Sequence, residues 1–187
     1  ELETPIVCTG CHKLYPLSTD MDYFSIFQIP REYRIKVRDL EQKFLSISRN
    51  VHPDFFGAAS NDMRQLSVHL SAELNEALRV LKDPVLRAGY LLELSGGKSA
   101  SQDRSVPQEV LMDALELREQ LEAGRDDPAV LAKIKEAVDR RRDALLVSIG
   151  ETAEKLGDGA EATQVQLRQL INSVKYFENL LADLPLG

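Results

Sequence analysis

The segment Arg49-Asn50-Val51-His52-Pro53-Asp54-Phe55-Phe56 restricts the folds open to this chain more than any other, because it interrupts two stretches of helical periodicity. Upstream, Val37, Leu40, Phe44, Ile47 and Val51 step by three and four residues, which lines apolar side chains along one helical stripe. Downstream, Leu66, Leu70, Leu74, Leu78 and Leu81 repeat the pattern. Two such helices with a short connection bury their stripes by folding back on each other, which predicts an antiparallel hairpin. Proline denies His52 helical geometry and removes a backbone donor, so the first helix has to stop near Val51. The connection then becomes a fixed corner that holds an imidazole and a carboxylate toward solvent. Taken without its flanks, His-Pro-Asp would be a plain turn with a proline breaker and a bystander histidine.

The same local chemistry divides the remaining chain. Residues 1–20 form an extended lead-in with the Cys8/Cys11 pair, and residues 21–29 read as a short helix ended by Pro30. Ser60 is a candidate N-cap for a hairpin helix over about 60–82, and Asp83 and Pro84 open a helix that closes at Gly96-Gly97. Residues 95–106 are rich in small and polar types and read as a linker between a unit at 21–94 and one at 107–187. Beyond it, Ser105 and Pro107 are expected to start a helix ending near Ala123, and Asp127 and Pro128 a helix reaching Leu156. A third spans about 160–184. No window alternates as a strand does, so the fold class is all-α, with three antiparallel helices forming a C-terminal bundle.

At 187 residues and 43% hydrophobic, the chain can build two small cores. The net charge of −7 resides mainly in residues 107–187, which argues against nucleic-acid binding. Within that acidic background, Arg31, Arg34, Lys36, Arg38, Lys43 and Arg49 make the approach to the corner basic. A solvated helix face is the ordinary meaning of such a run, and beside the corner it reads as a surface for an acidic partner. No apolar run approaches the ~18 residues of a membrane span, so no membrane partner is expected. Cys8 and Cys11, followed by His12, have the spacing of half a zinc site, and a structural site wants four ligands. The isolated chain is therefore expected to hold no stoichiometric zinc, and no other cofactor is expected.

The bundle carries a second clue. At 100 degrees per residue, Val110, Ala114, Leu117 and Leu121 share a core stripe, while Leu111 and Leu115 lie a quarter turn or more away. On the last helix, Leu167, Leu170, Val174, Phe177, Leu181 and Leu184 form the expected core stripe and Tyr176 points elsewhere. Either a wide bundle face buries Leu111, Leu115 and Tyr176, or they form an exposed apolar patch of the kind that binds partners.

Several motifs together resemble one family. They are Asp22-Tyr23-Phe24, the Val51-His52-Pro53-Asp54-Phe55-Phe56 corner, Arg87-Ala88-Gly89-Tyr90-Leu91-Leu92, and Leu111-Met112-Asp113-Ala114-Leu115-Glu116-Leu117-Arg118-Glu119. His-Pro-Asp is similar to any J-domain, and with the Leu-Glu-Leu-Arg-Glu helix the chain resembles the HscB or Jac-type co-chaperones over residues 21–183. The resemblance implies an L-shaped protein, a J-domain at 21–94 and a three-helix bundle at 107–187, working in iron–sulfur cluster biogenesis. It also implies that His52, Pro53, Asp54, Arg49, Lys43 and Arg38 engage an HscA-like chaperone of the heat-shock-protein-70 class. Leu111, Leu115 and Tyr176 would hold an IscU-type scaffold protein. Some members carry two Cys-x-x-Cys pairs ahead of the J-domain, so the single pair departs from them.

Two other classes fit less well. An enzyme using His52 and Asp54 would need a nucleophile, metal set or phosphate loop nearby, and none is present in the flanking sequence. A general J-domain co-chaperone for unfolded clients would keep the corner and give the bundle another cargo. Bacterial cytoplasm is the expected compartment, with the mitochondrial matrix as the alternative.

Overall fold

A computed structural model describes residues 6–8, 10 and 13–184. Among these residues lie seven α-helices: α1 Tyr23–Ile26, α2 Val37–Val51, α3 Asn61–Lys82, α4 Pro84–Leu94, α5 Gln108–Ala123, α6 Pro128–Ala153 and α7 Glu161–Asp183. Several start where a side chain can accept orphan backbone N–H groups. The Ser60 hydroxyl accepts from the Met63 N–H at 3.3 Å. The Asp83 carboxylate accepts from both Val85 and Leu86 at 2.8 Å, and Asp127 caps α6 ahead of Pro128. Ser105 is an exception to the expected caps. Its own N–H is taken by the Asp103 carboxylate at 2.8 Å, and Pro107 is the residue that precedes α5, without a side-chain cap.

The chain divides into two compact units between Arg87 and Ala88. In the first, α2 and α3 pack as the expected hairpin, burying Leu40, Ile47 and Val51 from one helix and Leu70, Leu74, Ala77 and Leu81 from the other. Phe24 and Phe27 complete this core. The lead-in is more than a solvated arm: an antiparallel bridge pairs Val7 with Leu14, and both are buried together with Ile6.

Asp22 secures the start of α1. Its carboxylate accepts from the Ser25 N–H at 2.7 Å and the Ser25 hydroxyl at 2.8 Å, and pairs with the Arg31 guanidinium. Burial alone would raise this carboxyl, but the Ser25 donors and Arg31 outweigh it and hold the group below its ordinary value. A depressed folded pKa means stability that is present above the unfolded pKa and lost as pH falls through the folded one. Asp22→Ala should therefore cost about 1–2 kcal/mol near neutral pH. The gap between wild type and variant should shrink once the pH drops below about 4. Urea unfolding of both proteins at neutral pH and at about pH 3 measures it, and a gap that is constant with pH would refute the assignment.

In the second unit, α5, α6 and α7 enclose Ala114, Leu117, Leu121, Ile134, Val138, Phe177, Leu180 and Leu184. The expected stripe on α7 is shifted here, since Leu180 is buried and Leu181 only packs against the core edge. Arg141 on α6 grips Asp113 on α5, with Nη2 donating to Oδ1 at 2.6 Å. The supposed linker is fastened to α7. Gln164 Nε2 donates to the Ser95 carbonyl at 2.8 Å, Arg168 Nε to that of Lys98 at 2.9 Å, and Asn172 Nδ2 to those of Asp103 and Ser105 at 3.1 and 3.0 Å. Positions 164, 168 and 172 recur every four residues, so one face of α7 presents a polar ladder to this segment. That fastening places the boundary between units within α4 rather than in the Gly/Ser-rich stretch.

Candidate functional site

The corner forms because α2 runs out of helical geometry. His52 adopts φ −62° and ψ 132°, and Pro53 opens a single 3₁₀ turn over Pro53–Phe56. His52 is also the cap of that turn, with Nδ1 accepting from the Asp54 N–H at 3.3 Å. In this geometry Nδ1 faces the backbone as the acceptor nitrogen, and Nε2 is the ring atom farther from it. The Asp54 carboxylate is 3.4 Å from the same Nδ1, and both side chains are largely exposed.

Two serines of α3 hold the corner in place. Helix ends leave carbonyls without partners, and the Val51 carbonyl, one residue before His52, is among the last of α2. It accepts from the fully buried Ser67 hydroxyl at 2.6 Å and from the Ser71 hydroxyl at 3.3 Å. The peptide leading into His52 is therefore fixed from the partner helix. Sequence reading passes over Ser67 because a serine between leucines looks like a gap in the stripe. Its place one turn before Leu70 on the buried side is the available signal.

Among the expected basic residues, Arg38 and Arg49 are exposed on the same stripe of α2, which leads to the corner. Lys43 lies about a third of a turn away by helical phase. Its Nζ donates to the Gln28 carbonyl at 3.1 Å, beside the end of α1. The helix thus groups two of the three cations with His52, Pro53 and Asp54, and directs the third to another side.

On the second unit, Leu111, Leu115 and Tyr176 come together. They line a shallow groove of about 240 Å³ between α5 and α7, with Ala114, Leu180 and Asn179. Leu111, Leu115 and Tyr176 are 39%, 52% and 41% exposed, so a wide bundle face does not bury them. Arg118 and Asp183, paired at 2.8 Å, also line this groove. Met112 is exposed as well, and its place beside Leu111 on the outer side of α5 is legible from helical phase. Cys8 is half-buried in the lead-in, and its N–H donates to the Lys13 carbonyl at 3.0 Å. Cys11 and His12 lie outside the described residues. Among the described residues no group of three His, Cys, Asp or Glu side chains could hold a metal ion, and no helix is long and apolar enough to cross a membrane.

An all-helical chain with an exposed His-Pro-Asp corner on one unit and an apolar groove on the other defines a binding protein of the J-domain co-chaperone class. Comparisons with known proteins narrow the class. Residues 106–184 match the family model of the HSCB C-terminal oligomerisation domain. A co-chaperone protein HscB homolog of Bordetella avium is 33% identical over 88% of this chain and 98% of its own length. The homolog of Bordetella petrii is 32% identical over 89% and 98%. Human co-chaperone HscB superposes with a TM-score of 0.83 over 98% of this chain and 93% of its own, at 24% identity. HscB of Vibrio cholerae superposes with a TM-score of 0.72 over 88% and 95%, at 29% identity. The chain belongs to the HscB family of co-chaperones, whose members are not enzymes.

Proposed function

We propose that this protein stimulates the ATPase of an HscA-like chaperone of the heat-shock-protein-70 class and delivers an IscU-type iron–sulfur scaffold protein to it. The observation that carries the reading is the presence of two exposed sites, one charged and one apolar, on two compact units. His52, Pro53 and Asp54, flanked by Arg38 and Arg49, form a rigid charged corner suited to an acidic surface. Lys43 reaches the same partner only if that partner also wraps the side of α2 nearest α1. The protein makes and breaks no covalent bond. It acts by binding one state of the ATPase better than another, which lowers the barrier to hydrolysis.

Leu111, Leu115 and Tyr176 supply the scaffold contact in this reading, and no cofactor belongs to the role. The curated relatives named above are bacterial, which favours the bacterial cytoplasm over the mitochondrial matrix. Competitive capture tests the cargo: immobilised protein is offered an IscU-type scaffold and a denatured model client at equal concentration. Retention of the scaffold alone is the expected result. Preferential retention of the unfolded client would replace the proposal with a general co-chaperone role.

A further inference from the structure

The apolar residues of α2 are not all turned inward. Val37, Leu40, Phe44, Ile47 and Val51 face α3 or its margins, whereas Leu45 is 52% exposed. By helical phase Arg38, Gln42, Leu45 and Arg49 fall within about a sixth of a turn, which makes Leu45 an apolar island in a polar, basic stripe. Phe55, next to Asp54, is 74% exposed. It lines a concavity of about 310 Å³ with Arg49, Asn50 and Phe56. Arg49 thus lies one turn beyond Leu45 on the helix and lines the same concavity as Phe55. Among the described residues no ion pair takes up Arg38 or Arg49.

We propose that Leu45 and Phe55 are apolar anchors through which the heat-shock-protein-70 class chaperone grips the basic face of α2, so that partner choice is read by apolar as well as charged contacts. The assignment rests on the docking role proposed for the corner. Continuity selects the occupant. Phe55 follows Asp54 directly, so a chaperone surface that meets the Asp54 carboxylate comes within reach of the phenyl ring. The flanking guanidinium groups require that surface to be acidic around an apolar recess. Charge contacts steer the encounter and weaken with salt, while a desolvated aromatic ring at the centre of an interface slows dissociation. A chaperone with the same acidic rim and no recess would meet the corner and leave quickly.

Titration of the co-chaperone against single-turnover ATP hydrolysis by the purified chaperone tests the proposal, with wild type, Leu45→Ala, Phe55→Ser, the double variant and His52→Gln side by side. The double variant should keep its helical circular dichroism and raise the half-saturating concentration by roughly tenfold or more. His52→Gln should give no stimulation at any concentration. If His52→Gln is inert while the double variant titrates like wild type, the anchors are refuted and the co-chaperone reading stands. If His52→Gln stimulates normally, that reading fails and the anchors fail with it. A double variant that no longer folds would show that Leu45 or Phe55 serves the core, which also overturns the assignment.

Discussion

His52→Gln and Asp54→Asn are each expected to reduce chaperone stimulation to background while leaving the fold intact. Both side chains project from the corner into solvent, and their mutual contacts are a 3.3 Å cap from the Asp54 N–H and a 3.4 Å approach of the Asp54 carboxylate to the same ring nitrogen. Exposed contacts of this kind contribute at most about 1 kcal/mol, so the melting curve should hardly move. The functional loss should be complete because the corner is fixed from behind. The Val51 carbonyl is held by Ser67 and Ser71, so the backbone stays in place and the substituted side chain stands where the native one stood without its chemistry. Measuring ATP turnover by the chaperone with each variant, alongside thermal melts, gives the answer. A folded variant that still stimulates would remove the basis for the proposed function.

The second large effect concerns the groove on the bundle. Truncating Leu111, Leu115 and Tyr176 together to Ala should weaken scaffold binding by about 100-fold or more, since central apolar side chains can each contribute about 2 kcal/mol. Their exposures of 39%, 52% and 41% mean that roughly half of each side chain is already in water. Stability should accordingly fall by only about 1 kcal/mol per residue, against about 2–5 kcal/mol for a buried leucine such as Leu117. Stimulation without scaffold should stay normal, because the corner belongs to the other unit. Leu117→Ala is the matching control, expected to lower stability far more than any single groove variant. Calorimetry with the scaffold and melts of both proteins test the pair. A triple variant that fails to fold would place the three residues in the core.

The features that sequence reveals are those written in neighbouring residues. Pro53 stops α2 whatever surrounds it, and Ser60, Asp83 and Asp127 cap helices by accepting from N–H groups two or three residues later. Leu111, Leu115 and Tyr176 stand out because helical phase alone separates them from the stripe. Phase is less decisive near the end of a long helix. An error of one residue rotates the expectation by 100 degrees, which is how Leu181 is expected where Leu180 is buried. Ser105 shows a different limit, since the residue that precedes α5 is Pro107, two positions later, where the serine hydroxyl is out of register with the first helical N–H groups. Charge and proximity in sequence group Lys43 with the arginines, whereas its direction is set by the Gln28 carbonyl fifteen residues earlier. The hold of α7 on residues 95–105 is beyond reach, because Gln164, Arg168 and Asn172 read as ordinary polar positions until the backbone opposite them is known.

That hold also has a bearing on the order in which the chain folds during synthesis. Its four hydrogen bonds join residues 67 to 70 positions apart, and each donor is on α7, the last of the seven helices to leave the ribosome. The first unit, by contrast, ends at Arg87, so all of it has been synthesised before any of the bundle appears. The corner can be complete and able to meet a chaperone while the bundle still lacks its third helix. Closure of distant contacts carries the larger loop entropy, so α7 latches residues 95–105 only after the six earlier helices have been synthesised.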